Sequence, residues 1–302
     1  MIESLPLNTP LAPIERLHAL LDLQPTGVIG EFHGPSEWMS TGRVFGGQLL
    51  GQAIMAAARL VDDDRVPHAL QMMFVRGGET GHGVAYRPRV LHAGRSFTQL
   101  QVEARQDGEL LATAFIAFQR PGAGVSHTTR PARPLPAPES LRPDDDGFPD
   151  PDAADPNARI LNRVISYRPF DIRHDPSSVF TTVDDDRPRD EHLVWMRARG
   201  SFPGDQTWQR AALAYVSDFT ILEPGMRRHG ISWSHRGLSQ ATLNHSMWFL
   251  RNVDVEQWIA SPQHSPSAQE GRSLDTGEFY AADGTLLATC AQEGLMRIPE
   301  VR

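Results

Sequence analysis

Lysine is absent from all 302 residues. Every side-chain cation above neutral pH is therefore an arginine, and two chemistries that need an amine fall away: a Walker A phosphate loop and Schiff-base catalysis. Cysteine occurs once, at Cys290, so neither an intrachain disulfide nor a cysteine-rich metal site is expected, and Cys290 reads as a small strand residue. No apolar run reaches the roughly 18 residues of a membrane-spanning helix. The opening MIESLPLNTPLAP has neither the basic start nor the apolar stretch of a signal peptide. We expect no membrane insertion and a cytoplasmic location. Basic charge is also short: the net charge is −8, the wrong sign for nucleic-acid binding. There is no G-x-S-x-G nucleophile elbow and no H-E-x-x-H or other tight pair of metal ligands, so no resident metal or cofactor is expected.

What is present is a repeat. Apolar residues make up 40% of the chain, enough for a sizeable core. Residues 121–158 are rich in Pro, Asp and Ala and show no apolar periodicity, which reads as a linker or a long, partly extended surface loop. It separates residues 1–120 from residues 159–302. DGELLAT (107–113) returns as DGTLLAT (283–289), GRSF (94–97) as GRSL (271–274), and MMFVR (72–76) as MWFLR (247–251). Upstream in each half lies a helical stretch, 45–61 and 206–222, apolar nearly all round and so expected to be buried. The nearby strands are rich in Val, Phe, Trp and Thr. The fold class that satisfies both is α+β, two similar units that each wrap an antiparallel sheet around one central helix. GGETGHG (77–83) reads as a loop, and the aspartate runs 62–64, 144–146 and 184–186 read as solvated.

Three polar residues of the second half break the pattern of a buried element, and such residues are often functional. Asp218 shares a helical face with Ala211 and Ala214 and lies near the helix C-terminus, where the macrodipole disfavours a carboxylate. Thr242 begins a strand and alternates with Asn244, Ser246 and Trp248. By the same alternation His245 falls on the opposite face. Gln292 shares a face with Leu286, Ala288 and Cys290, and in the register of the repeat it stands where Ile116 stands. Each has a structural alternative: an aspartate bonded locally, an ordinary strand threonine, and a core amide satisfied by backbone. A carboxylate, a hydroxyl and an amide that converge can also bind and polarise a water, a general-base site with no protein nucleophile.

At these residues the sequence resembles the acyl-CoA thioesterase II family, the double-hotdog thioesterases. The resemblance rests on RVFGGQLLGQA (43–53), FVRGG (74–78), GRSF (94–97), AYVSDFTIL (214–222), LNHSMWF (243–249), SPSAQEGR (265–272) and CAQEGLMR (290–297). It implies two fused hotdog units and hydrolysis of acyl-CoA to fatty acid and coenzyme A. It also implies that Asp218, Thr242 and Gln292 are catalytic and that the chain forms a homodimer. Asn244 and Leu250 depart from the residues usual beside that motif, which bears on substrate choice. The Gly46-Gly47 helix start is suited to hold an oxyanion. Arg43, Arg76, Arg95, Arg251 and Arg272 are candidates to meet the negative charges of coenzyme A. A hotdog hydratase or dehydratase and a non-catalytic acyl-CoA sensor are the alternatives.

Overall fold

The computed structural model describes residues 4–5, 11–144, 166–180, 183 and 190–298. Residues 145–158 of the expected linker, and the aspartates at 145–146 and 184–186, lie outside the described residues. The α-helices are α1 (Pro13–Leu21), α2 (Gly46–Ala58), α3 (Gln206–Ser217) and α4 (Glu223–Arg228), and a 3₁₀ helix spans Pro138–Ser140. The strands of the first half are β1 (Ser4–Leu5), β2 (Gln24–Pro25), β3 (Phe32–Gly34), β4 (Ser36–Glu37), β5 (Val66–Phe74), β6 (Val84–Ala93), β7 (Phe97–Gln106) and β8 (Glu109–Gln119). Those that follow are β9 (Arg142–Pro143), β10 (Phe170–Asp175), β11 (Glu191–Ala198), β12 (Ser239–Phe249), β13 (Ile259–Gln269), β14 (Arg272–Ala281) and β15 (Leu286–Arg297).

Thirteen of these strands form one sheet, in the order β2-β3-β6-β7-β8-β5-β12-β15-β14-β13-β11-β10-β9. The repeat is visible in this order. From the middle outwards, β5-β8-β7-β6 on one side is matched by β12-β15-β14-β13 on the other. β5 and β12 pair antiparallel across the centre, with Met72 opposite His245 and Leu70 opposite Met247. The first hairpin is tight because Asp107 and Gly108 both take positive φ, the two-residue turn that matches strand twist. Its copy is looser, with four residues between β14 and β15 and Gly284 at positive φ. Residues 121–137 form no helix or strand. The chain then lays β9 antiparallel onto the end of β10, so the described part of the connecting segment extends the second half's sheet.

The sheet curves around α2 and α3, which are buried as their all-round apolar sequences predict. The two helices run antiparallel and almost touch. A β-carbon at Gly47 would collide with the carbonyl oxygen of Tyr215, and one at Gly51 would stand 3.0 Å from that of Ala211. Glycines one turn apart thus let the backbones meet where any side chain would hold them apart. The polar exceptions on α2 are satisfied: Gln52 donates to Leu20 O (2.7 Å) and accepts from Tyr86 Oη (2.6 Å) and Gln48 Nε2 (3.0 Å). Buried amides without such partners would be costly.

One sequence expectation fails here. Asp144 is not solvated: it is 2% exposed and bonds Arg168 and, at 2.8 Å, His174 Nε2. Its partners lie 24 and 30 residues away, so a run of three aspartates conceals it.

Candidate active site

The close approach of α2 and α3 decides where Asp218 sits. The last helical residue of α3 is Ser217, and Asp218 is its C-cap. Left alone, a carboxylate there opposes the macrodipole. The antiparallel partner reverses this, because the N-terminus of α2 lies beside it. Phe45, the N-cap of α2, has no side-chain oxygen with which to cap. Asp218 fills that role from the other half: the Gly47 amide donates to its carboxylate, and Oδ2 stands 2.5 Å from where a β-carbon on Gly46 would be. The glycine pair expected to hold an oxyanion therefore comes from the first half and the carboxylate from the second, with the Gly47 amide committed to Asp218.

Around it, Phe45 stacks on Phe219 and meets Tyr215 edge-on, at centroid distances of 4.7 and 5.3 Å. The residue keeps partial exposure, but its carboxylate is enclosed by protein. Burial raises its pKa to about 6, against the opposing effect of hydrogen bonds from Gln292, Thr242 and Gly47. A carboxylate at that value is half-ionised near the pH where it can act as a base.

The three polar misfits meet. Gln292 Nε2 donates to Asp218 Oδ1 at 2.9 Å, Thr242 Oγ1 donates to the same oxygen at 3.1 Å, and Gln292 Nε2 lies 3.1 Å from Thr242 Oγ1. A sheet irregularity makes this possible. β12 and β15 pair Thr242 with Gly294 and Asn244 with Glu293, so the strand bulges at Leu243. The extra residue inverts the alternation and turns Thr242 inward. The same bulge overturns the expectation that His245 faces away from Thr242. His245 is fully buried, and its Nδ1 lies 2.5 Å from Gln292 Oε1. Its Nε2 is 3.3 Å from Ser217 Oγ. Burial lowers its pKa to about 4, so the ring is neutral.

The two departures lie away from this cluster. Asn244 bonds Glu293 at 3.0 Å, and Leu250 is exposed. Of the candidate arginines, Arg76 pairs with Glu109, Arg272 with Glu293 at 3.0 Å, and Arg251 donates to the carbonyls of Leu286 and His127. A cleft of about 560 Å³, lined in part by Arg173, Arg197 and Arg199, includes none of the three converging residues.

Sequence spacing also concealed a second buried cluster. His174 Nδ1 is 3.2 Å from His192 Nε2, and His192 Nδ1 is 3.2 Å from Glu223 Oε2. Donor atoms of these three residues lie within 4.8 Å of one another, a set that could hold a cation. His174 Nε2 meets Asp144 Oδ1 at 2.8 Å and its Nδ1 meets His192 Nε2, whereas His192 Nδ1 and Glu223 Oε2 approach each other without forming a hydrogen bond. Burial raises Glu223 and lowers His192, while Arg168 and His174 outweigh burial at Asp144 and lower it. Trp233 Nε1 donates to the other oxygen of Glu223 at 3.2 Å. Because burial favours the neutral carboxyl at Glu223, Glu223→Gln should leave stability little changed in urea denaturation. Asp144→Asn should cost roughly 3–5 kcal/mol by stranding buried Arg168. Equal losses for the two variants would show Glu223 to be ionised.

The Acyl-CoA thioesterase family pattern matches residues 170–295, and that of the Acyl-CoA thioesterase N-terminal domain matches residues 35–119. Acyl-coenzyme A thioesterase 8 of Homo sapiens is 32% identical over 278 residues, covering 89% of this chain and 86% of that one. The chain belongs to the acyl-CoA thioesterase family. Acyl-CoA thioesterase 2 of Haemophilus influenzae is 31% identical and covers 89% of this chain and 93% of its own. The crystal structure of acyl-CoA thioesterase II TesB2 from Mycobacterium marinum superposes with a TM-score of 0.72 at 28% identity, covering 95% of this chain and 99% of that one. The two units of this member of the family are hotdogs, each a sheet wrapped around a helix.

Proposed function

We propose that this thioesterase hydrolyses fatty acyl-CoA with a water activated by Asp218 and positioned by Thr242 and Gln292. The observation that carries the reading is the enclosed carboxylate of Asp218, on which a hydroxyl, an amide and a helix N-terminus converge. In the reaction the water oxygen attacks the thioester carbonyl carbon and its proton passes to Asp218. The carbonyl becomes an oxyanion, met by first-turn amides of α2 other than that of Gly47. The tetrahedral intermediate then collapses, the C–S bond breaks, and the coenzyme A sulfur takes the proton back from Asp218. Free acid and coenzyme A leave, and the base is restored.

The proposal places the unit boundaries at residues 1–120 and 159–302, joined by residues 121–158. It includes a cytoplasmic homodimer. Met73, Phe115 and Trp248, exposed on the neighbouring strands β5, β8 and β12, are apolar surface that favours association. Among the described residues no helix is long and apolar enough to cross a membrane.

A hydratase would need a histidine or second acid free to move a proton at the substrate. His245, the nearest histidine in sequence, is enclosed and holds Gln292 instead. The test is release of free thiol from a panel of acyl-CoAs across pH. Because the base must be ionised, activity should be full above Asp218's pKa and fall as pH drops through about 6. Tight acyl-CoA binding without thiol release would identify a sensor and overturn the reading.

A further inference from the structure

We infer that His245 is a positioning residue for the hydrolysis, its Nδ1–H holding the Gln292 amide with the nitrogen end towards Asp218 and Thr242. The inference rests on the reading of Asp218 as the base. An amide has two ends of almost equal size and opposite polarity, so its environment must choose between them. Gln292 Nε2 has acceptors on one side, Asp218 Oδ1 at 2.9 Å and Thr242 Oγ1 at 3.1 Å. Its Oε1 faces His245 Nδ1 at 2.5 Å. That contact is a hydrogen bond only if Nδ1 carries the proton. With the ring neutral, Nε2 is then the bare nitrogen, 3.3 Å from a Ser217 hydroxyl that donates to Ala214 O at 2.8 Å. If Gln292 were reversed, two amide hydrogens would face the Nδ1–H and the amide oxygen would face a carboxylate.

The first half supplies an independent control. β12 and β15 place His245 opposite Gln292, and β5 and β8 place Leu70 opposite Ile116. All four residues are buried. The same fold closes over an apolar pair where no carboxylate stands at the helix end. A histidine is therefore not required by the packing at this register. It accompanies the amide, and the amide accompanies the carboxylate.

Other titratable groups near the carboxylate are fixed in state or lie beyond its hydrogen bonds. Tyr215, one turn back on α3, is pushed further up by burial, and burial holds the Cys290 thiol on β15 at about 12. Asp275 on β14 bonds Ser273 Oγ at 2.7 Å and the Gly225 amide at 2.9 Å. On α2 the nearest groups are glycines.

The test compares His245→Asn with His245→Gln in the full chain. The Asn nitrogen reaches about as far as Nδ1, whereas the Gln nitrogen reaches about as far as Nε2. Positioning predicts that Asn keeps kcat within about 3-fold and Gln loses roughly 10- to 100-fold, with KM little changed in both. It also predicts that the acid limb of the pH profile rises in the Gln variant, because a reversed Gln292 no longer donates to Asp218. A space-filling role predicts the opposite order, since Gln is closer to His in length. His245→Leu, which copies Leu70, should fold and behave as the Gln variant. Equal activity of the Asn and Gln variants, or Gln above Asn, overturns the inference. Asp218→Asn assayed alongside separates the two readings. If it stays active, the base assignment fails. If it is inactive while the Asn–Gln order is wrong, only the role of His245 fails.

Discussion

Replacing Asp218 by asparagine should lower kcat for acyl-CoA hydrolysis by roughly 10²–10⁴-fold, the usual contribution of a general base, and leave the fold intact. The two halves of that statement have separate causes. Catalysis is lost because an amide oxygen does not accept a proton near neutral pH. Structure is kept because Asn is also a good N-capping residue, and its carbonyl oxygen can still accept from the Gly47 amide. Removing the charge also ends the conflict with the dipole of α3 and the cost of burying a carboxylate. The melting temperature should therefore hold or rise as activity disappears, as expected of a site that trades stability for function. Single-turnover thiol release and a thermal melt of the same preparation measure both. Turnover close to wild type would eliminate Asp218 as the base.

Gln292→Ile, which copies Ile116, should remove roughly 10²–10³-fold of kcat, the scale for one oriented donor in an enclosed site. It takes away the N–H bonds to Asp218 Oδ1 and Thr242 Oγ1 together. It also leaves His245 Nδ1–H buried without an acceptor, which costs about 1–3 kcal/mol. The second loss is repairable. The double variant His245→Leu/Gln292→Ile reproduces the Leu70–Ile116 pair of the first half, so it should recover the stability and none of the activity. Urea melts of the two single variants and the double give the coupling energy directly. A double variant as unstable as Gln292→Ile would mean that the two halves are not equivalent at this register.

The repeat, the buried helices, Asp218 and Gln292 were legible because each rests on local pattern, whereas Thr242 came from the family resemblance, since alternation set it with Asn244 and the exposed Trp248. Two glycine-led hairpins and two apolar helices fix the topology through period and turn chemistry. Asp218 and Gln292 stood out as polar residues in apolar elements, and Ile116 supplied the comparison. His245 was misplaced for an equally local reason. Alternation assumes an unbroken strand, and the bulge at Leu243 shifts parity by one. Only the pairing register reveals this, although the correspondence of His245 with Leu70 was available from the repeat. Asp144, His174, His192 and Glu223 were invisible as a set because four elements far apart in the chain bring them together. Their signal is chemical complementarity at long range, which no window of sequence contains. The cap that Asp218 provides to α2 was hidden similarly: the residue looked badly placed on its own helix, and only a neighbour running the other way explains it.

The chain that runs on from β8 to β10 joins the two halves into a single covalent object, and this alters what a substitution can do. In a ring of identical subunits any change is made at every equivalent place. Here the two helix ends carry opposite charges: the C-cap of α2 is Arg59 and the C-cap of α3 is Asp218. One end can keep the cation that its own dipole favours, while the other holds the anion that the proposed hydrolysis requires. Tethering also keeps the glycine start of α2 beside that anion at an effective concentration that dilution does not lower. Asymmetry and permanence of the reacting centre thus have a common origin in the peptide connection between two otherwise interchangeable scaffolds.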